Sequence, residues 1–428
     1  MTATGQQVAT RVHPIRSPSV RRWLAGLGIS LIGDQVYFIA LAWTAVQTAG
    51  PGTAGVILAV GAIPRAALML LGGVIADRFG PRRVLIGSDS ARLVVMILVA
   101  VLLTWSNAGV VILFAVSIIF GIVDALFQPA IGALPPRLVE PDQLLALQGL
   151  RTLIYRTAVI LGAPIGGLFL AGPGVVAAFV FNAATFAASM IAVLTLRLRP
   201  IETTASDSGP RSLRADLIDG LRHAKASPIV MPTVALVFML ELGLSGTLNI
   251  GMPLLTEHQG WSASSLGILL GGFGLGATAA ALTTATRRSQ LRGPIFTIGG
   301  IISALSMAAL PWTTHPWAGA AATAVIGAAA AVMTAAALAV VQATTDDKHL
   351  GRVMSLFAFA STGSLPLANA LTGAVADATS TTTALLTNAG ITALAAVVGL
   401  RISAGHSRKE TAQEGLGRAD ETEPLSLS

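Results

Sequence analysis

Twelve apolar stretches follow one another along the chain, near 22–48, 53–76, 84–104, 109–134, 144–170, 174–196, 229–255, 263–286, 293–312, 317–342, 351–377 and 382–402. Each comes close to or exceeds the roughly 20 residues a helix needs to cross about 30 Å of hydrocarbon. All are predicted to be helices, because backbone groups in lipid have no water to bond and must pair within their own segment. The polar connections between them alternate in kind. Arg11, Arg16, Arg21 and Arg22 precede the first stretch; Arg78, Arg82 and Arg83 follow the second, and Arg137 follows the fourth. Further basic residues lie between 197 and 225, at Arg287, Arg288 and Arg292, at Lys348 and Arg352, and from Arg401 to Arg418. The connections around Gly50, Asn107, Gly172, His258, His315 and Ser380 carry no Lys or Arg. By the positive-inside rule, both termini are then cytoplasmic and the number of crossings is even. The first stretch, about 24–48, exceeds the apolar region of a cleavable signal and reads as a signal anchor.

A polar segment divides the twelve into six and six. The sequence therefore predicts an N-terminal tail at 1–18, a six-helix bundle at 19–196, a linker at 197–228, a second bundle at 229–402 and a C-terminal tail at 403–428. Both tails are expected to be disordered, and the C-terminal one is rich in Glu, Gly and Ser. Within the linker, Leu213, Leu217, Ile218 and Leu221 recur at helical spacing, which predicts an amphipathic helix. Gln128, Arg137 and Asp142 at the end of the fourth stretch are faintly echoed by Gln342, Asp347 and Arg352 after the tenth. Transporters are often built from such repeats, with the substrate site between them.

Composition agrees with this picture. Hydrophobic residues make up 54% of the 428 and charged residues only 11%, with 45 glycines, against about 25% charged in ordinary soluble domains. A net charge of +7 would suggest nucleic acid in a soluble protein; here its placement in alternate connections assigns it to topology instead. Cysteine is absent and the six histidines fall in tails or connections, so neither disulfides nor an intramembrane metal or haem site is expected.

The connection after the second stretch reads Gly72-Gly73-Val74-Ile75-Ala76-Asp77-Arg78-Phe79-Gly80-Pro81-Arg82-Arg83. Gly73 permits a close helix–helix approach and Gly80 a tight reversal. Taken with the helix count, the segment resembles the signature loop of the major facilitator superfamily. That resemblance implies an all-α membrane protein of twelve helices in two pseudo-symmetric six-helix bundles. It also implies a gate at one membrane face, in which Asp77 meets the start of the eleventh helix near Arg352, assisted by the helix dipole. Gly73, Asp77, Arg78, Gly80, Arg82, Arg83 and Arg352 are its expected members. The matching connection of the second half, 286–293, keeps arginines but has no Asp.

Further segments are Ser30, Gly33-Asp34-Gln35, Ile63-Pro64-Arg65, Phe127-Gln128-Pro129-Ala130 and Gly351-Arg352-Val353. With Gly162-Ala163-Pro164-Ile165-Gly166-Gly167 they resemble the drug:proton antiporter branch that includes macrolide-efflux and enterobactin-exporter-like proteins. The resemblance implies a bacterial cytoplasmic membrane, a monomer, a small-molecule substrate, protons as the energy source and no other cofactor. It also implies a kink at Gly162, Pro164, Gly166 and Gly167. Ala163 stands where that branch has its proline, so the kink's position is displaced.

Four charges fall inside predicted spans: Asp34, Arg65, Asp124 and Glu241. Each costs about 2.5–3.5 kcal/mol at a helix centre, so they are expected to face a cavity or one another. The superfamily resemblance implies that helices 1, 4, 7 and 10 line that cavity. Tyr37 and Phe38 lie three and four residues from Asp34, Phe120 and Phe127 flank Asp124, and Phe238 precedes Glu241. Acids beside aromatic rings suit a lipophilic cation, with proton and cargo competing for one carboxylate. Arg65 reads as a counter-ion of Asp34. Arg92 and Arg151 are expected to snorkel to a membrane face, and Arg156, beside Tyr155, to pair with Asp124. Arg65 and Arg156 keep open an anionic metabolite or siderophore as cargo, or solute uptake. A membrane-embedded transferase has only Asp346-Asp347 to recommend it, and no phosphate-binding G-x-x-x-x-G-K-[ST] loop is present.

Overall fold

A computed structural model describes residues 14–105, 109–196, 224–286 and 294–421, together with Leu198 and Arg222. Eleven helices among these are long and apolar enough to span a bilayer. The first of them, Pro18–Phe79, would be about 90 Å long if straight. It is not straight: Gly50 leaves helical geometry at φ 74° and ψ 171°, a region open to glycine, and Pro51 restarts the helix. It is therefore two spans, α1 (18–49) and α2 (51–79), which makes twelve among the described residues.

The others are α3 (Pro81–Trp105), α4 (Gly109–Gly132), α5 (Leu144–Ala171), α6 (Val175–Leu194), α7 (Val230–His258), α8 (Ala263–Thr286), α9 (Pro294–Ala309), α10 (Pro316–Thr344), α11 (Asp347–Ala378) and α12 (Thr381–Glu421). No strand occurs among the described residues. Gly80, φ 83°, makes the reversal between α2 and α3 that the sequence requires of it. Two boundaries differ from the sequence reading. α1 begins at Pro18, inside the expected tail, because Val20 and Trp23 are buried against the rest of the bundle. α12 runs on to Glu421, where a disordered tail was expected from 403. The amphipathic helix expected around 213–221 lies outside the described residues.

Small residues set the packing. In lipid the apolar surface gains nothing by leaving its solvent, so helices associate where backbones can touch. Gly61 and Gly72 of α2 lie against Ser117 and Ala125 of α4, and Gly121 of α4 lies against the Gly61 carbonyl. The Ser117 hydroxyl donates across this seam to the Ile57 carbonyl at 2.7 Å.

The apolar core is joined at one end of the molecule and divided at the other. At the end without arginines, one cluster combines Tyr37, Leu41 and Phe120 of the first half with Ile250, Leu254, Ala376 and Ala384 of the second. A second cluster combines Ile39 and Ala163 with Leu266, Leu269 and Leu385. At the arginine-rich end, the cluster around Trp23 and Leu134 contains first-half residues alone. Its counterpart around Leu240, Phe296 and Val341 contains second-half and linker residues alone. The halves thus meet at one membrane face and part towards the other.

Backbone contacts close the joined end. Gly55 and Gly373 face each other across α2 and α11, and a Cβ on Gly55 would stand 3.0 Å from the Gly373 Cα. Gly167 and Gly267 do the same across α5 and α8, where a Cβ on Gly167 would stand 3.0 Å from the Gly267 Cα.

Candidate functional site

A cavity of about 300 Å³ lies between the halves. From the first half it is lined by Gln35, Tyr37, Phe38 and Leu41 of α1, by Leu58, Gly61, Ala62 and Arg65 of α2, and by Ser117, Phe120, Gly121 and Asp124 of α4. The second half contributes Ser245 and Asn249 of α7 and Leu365 and Asn369 of α11. α1, α4 and α7 were expected there from the resemblance. α10 contributes no lining residue. Its small-residue face is taken up by α8, with Gly272 against Ala320, Gly276 against Ala324 and Gly327 against Phe273.

Two arginines meet one carboxylate on the first-half wall. Arg65 Nε lies 2.8 Å from Asp124 Oδ2, and Arg92 Nη2 lies 2.5 Å from Asp124 Oδ1. Arg65 thus pairs with Asp124 and not with Asp34 as the sequence suggested. The pairing of Arg156 with Asp124 is likewise corrected, since both carboxylate oxygens are engaged elsewhere. Arg156 is partly buried on α5, and its neighbour Tyr155 is exposed.

Arg92 does not snorkel. Its side chain has no solvent exposure, and the guanidinium lies over the rings of Phe127 at 4.0 Å, Phe120 at 5.1 Å and Phe186 at 5.4 Å. Burying an unpaired charge costs several kcal/mol. The ion pair and three ring faces offset that cost here. Phe127 is buried and packs on Arg92; it does not line the cavity as expected.

The sequence reading overlooked Asp89. It is fully buried on α3, three residues before Arg92, with Arg92 and Ser189 as neighbours. A signal for it exists: Leu85, Ser88, Asp89, Arg92, Met96 and Val99 repeat at helical spacing and are all buried, so the polar group shares the inward stripe. Asp34 completes the cluster. Its Oδ1 is buried without a hydrogen-bond partner, within electrostatic reach of Arg92, Asp124, Asp89 and Arg65. Three acids and two arginines are thereby gathered among α1 to α4, with one negative charge in excess when all are ionised.

The rings beside them form a continuous wall. Tyr37 stacks on Phe120 with centroids 4.2 Å apart, and Phe38 meets both at 5.1 and 5.9 Å.

The second-half wall is polar but uncharged. Asn249 donates from Nδ2 to Asn369 Oδ1 at 3.3 Å, and it sits in a π-helical turn, Thr247–Gly251, within α7. Such turns present side chains that a regular helix would turn away. Glu241 lies one turn before Ser245 on the same face, partly buried and outside the lining, and Phe238 packs into the second-half core.

The expected gate is described in part. Gly73 lies within α2 and Arg352 within α11, and the Asp77 side chain lies outside what is described. Arg78 and Arg83 are exposed, and Arg78 lies 5.6 Å from the Phe79 ring centroid. Arg82 donates from Nη2 to the Leu194 carbonyl, and Arg22 donates to the Thr195 carbonyl at 3.3 Å. Both therefore bind the open C-terminus of α6, whose last carbonyls lack helical donors and carry the negative end of the dipole.

The expected kink segment lies inside an unbroken α5, where its residues serve packing. Gly162 abuts Gln35 and Gly166 abuts Val36 and Ile39 of α1, while Pro164 and Gly167 meet Gly267 and Gly271 of α8.

A family model described as transmembrane secretion effector matches residues 9–421. Among curated proteins, the multidrug efflux pump Tap of Mycolicibacterium fortuitum is 24% identical over 364 residues, covering 81% of this chain and 86% of that protein. The enterobactin exporter EntS of Escherichia coli is 25% identical over 293 residues, covering 68% of each. Among solved structures, the nucleoside transporter NupG matches with a TM-score of 0.72 at 14% identity, over 90% of this chain and 99% of that one. The D-xylose–proton symporter matches with a TM-score of 0.71 at 14% identity, over 89% and 96%. At such identities the solved structures establish a shared fold.

Proposed function

The chain belongs to the transmembrane secretion effector family of the major facilitator superfamily, a transporter and not an enzyme, and on that premise we propose that it exports lipophilic small molecules in exchange for protons. The observation that carries this reading is the cavity itself. It lies between two bundles that meet at one membrane face only, and a buried cluster of acids and arginines forms one of its walls. A transporter that alternates its opening needs a site between two rocking halves. A coupled one also needs an ionisable group whose charge state the cargo can sense. Asp34, beside the cavity and without a hydrogen-bond partner on Oδ1, is the candidate proton carrier. The named relatives Tap and EntS support the export direction.

In this reading the arginine-rich end is cytoplasmic, both termini included, the membrane is a bacterial cytoplasmic membrane, and the structure represents the inward-open state. One chain supplies the whole cavity, so a monomer suffices. Protons enter from outside onto the acid cluster, the halves rock, and the cargo leaves on the other face.

Cells producing the protein should accumulate less of a lipophilic fluorescent compound than cells without it. Collapse of the proton gradient by a protonophore should abolish the difference. Equal accumulation in both strains across cationic, neutral and anionic compounds would argue against export.

A further inference from the structure

We propose that the cargo is an amphipathic anion, an aromatic ring system bearing a carboxylate or a comparable acidic group, and that Arg65 is its docking residue. This rests on the reading of the cavity as the transport site. It departs from the lipophilic cation that aromatic-flanked acids suggested in the sequence.

The departure follows from which charges the cavity wall exposes. Asp124 presents little surface, with its side chain 6% exposed and both oxygens held by arginine. Arg65 is 30% exposed. It pairs through Nε with Asp124 Oδ2, and its side chain lines the cavity. Asp34, Asp89 and Glu241 do not line the space. The remaining polar lining, such as Gln35, Ser117 and Asn249, is neutral. Of the two charged residues in the lining, Arg65 and Asp124, Arg65 is far the more exposed, so the charge that a cargo meets is chiefly positive. A guanidinium fork matches a carboxylate in planar, bidentate fashion. The ring wall of Tyr37, Phe38 and Phe120 offers stacking surface for the apolar part of the same molecule.

This arrangement also links cargo to the acid cluster without direct contact. An anion on Arg65 competes with Asp124 for the guanidinium and loosens the pair. Asp124 is then left to Arg92 alone, among Asp34 and Asp89.

The test uses three probes on one scaffold: anthracenecarboxylate, anthracenecarboxamide and anthracenylmethylammonium. Their affinities for the purified full-length protein in lipid nanodiscs are read by fluorescence anisotropy, with no ion gradient. The carboxylate should bind tightest to the unaltered protein. Arg65→Gln should weaken carboxylate binding about tenfold to a hundredfold, as expected for loss of a charge-assisted pair. It should also raise affinity for the ammonium probe by exposing Asp124, while Arg65→Lys, which keeps the charge but loses the fork, should weaken the carboxylate less than Arg65→Gln does and leave it the preferred probe. Preference of the unaltered protein for the ammonium probe, or carboxylate affinity indifferent to Arg65→Gln, would overturn the inference. Should Arg65→Gln not fold, the ranking of probes on the unaltered protein and on Arg65→Lys still decides it. Because binding is measured without a gradient, failure here is separable from failure of proton-driven export.

Discussion

Replacing Arg92 by methionine is expected to destabilise the protein by about 3–5 kcal/mol, the usual cost of removing one partner from a buried ion pair. Methionine is unbranched and of comparable reach, so the loss is chiefly electrostatic. Arg92 has no exposed side-chain surface. Without it, Asp124 keeps only the partly exposed Arg65, and Asp89 and Asp34 lose the nearest buried cation. The measurement is the unfolding midpoint of the purified protein in detergent, converted through the denaturant slope. Exposed Arg83 provides the comparison; its replacement by methionine should change stability by no more than about 0.5 kcal/mol. Adding Asp89→Asn to Arg92→Met should recover part of the loss, since one uncompensated carboxylate is gone. A change below about 1 kcal/mol for Arg92→Met would place the residue among ordinary surface ion pairs and contradict the buried cluster.

Joining residues 52 and 377 by a disulfide should stop transport altogether. A Cβ built on Gly52 lies 3.2 Å from the Asp377 Cβ, near the roughly 3.5–4.5 Å spanned by disulfides. The chain has no cysteine, so Gly52→Cys with Asp377→Cys forms the sole possible pair. The same double replacement removes the carboxylate that a Cβ at Gly52 would crowd. The bond ties α2 to α11 at the joined face, which must open for cargo to leave there. The oxidised protein should show no transport, the reduced protein and each single cysteine substantial transport. Oxidised protein that transports at the reduced rate would show that the halves do not separate at this face.

How far the sequence speaks for this molecule varies with the physics involved. The spans were legible because lipid demands about 20 apolar residues per crossing and a backbone that bonds to itself. Even the break between α1 and α2 was visible as the pause in the apolar run at Gly50-Pro51. The cavity-lining roles of Asp34's neighbours Tyr37 and Phe38, and of Arg65 and Asp124, could be anticipated because a charge inside a span has to find a partner or a cavity.

Which partner it finds is a matter of helix rotation, and rotation is set by close packing. Gly61 against Ser117 and Gly121 against the Gly61 carbonyl bring α2 onto α4, and so Arg65 onto Asp124 in place of Asp34. Arg92 was misread for a related reason. Counted from a helix start near 84 it seemed close to a membrane face, whereas α3 begins at Pro81 and its inward stripe carries Ser88, Asp89 and Arg92 into the bundle. The second-half wall was harder to foresee, because a π-helical turn at Thr247–Gly251 shifts Asn249 off the regular helical register.

Proton-coupled export through this cavity is tested most directly with the purified protein in proteoliposomes under an imposed pH gradient. Fluorescent lipophilic compounds of positive, zero and negative charge are offered on the outside of vesicles with an acidic lumen. The unaltered protein should concentrate at least one of them inside, in proportion to the gradient. Asp34→Asn should bind the same compound yet concentrate none of it, leaving accumulation at the level of empty vesicles. Concentrative uptake by Asp34→Asn equal to that of the unaltered protein, or no gradient-dependent uptake of any compound by the unaltered protein, would contradict the account.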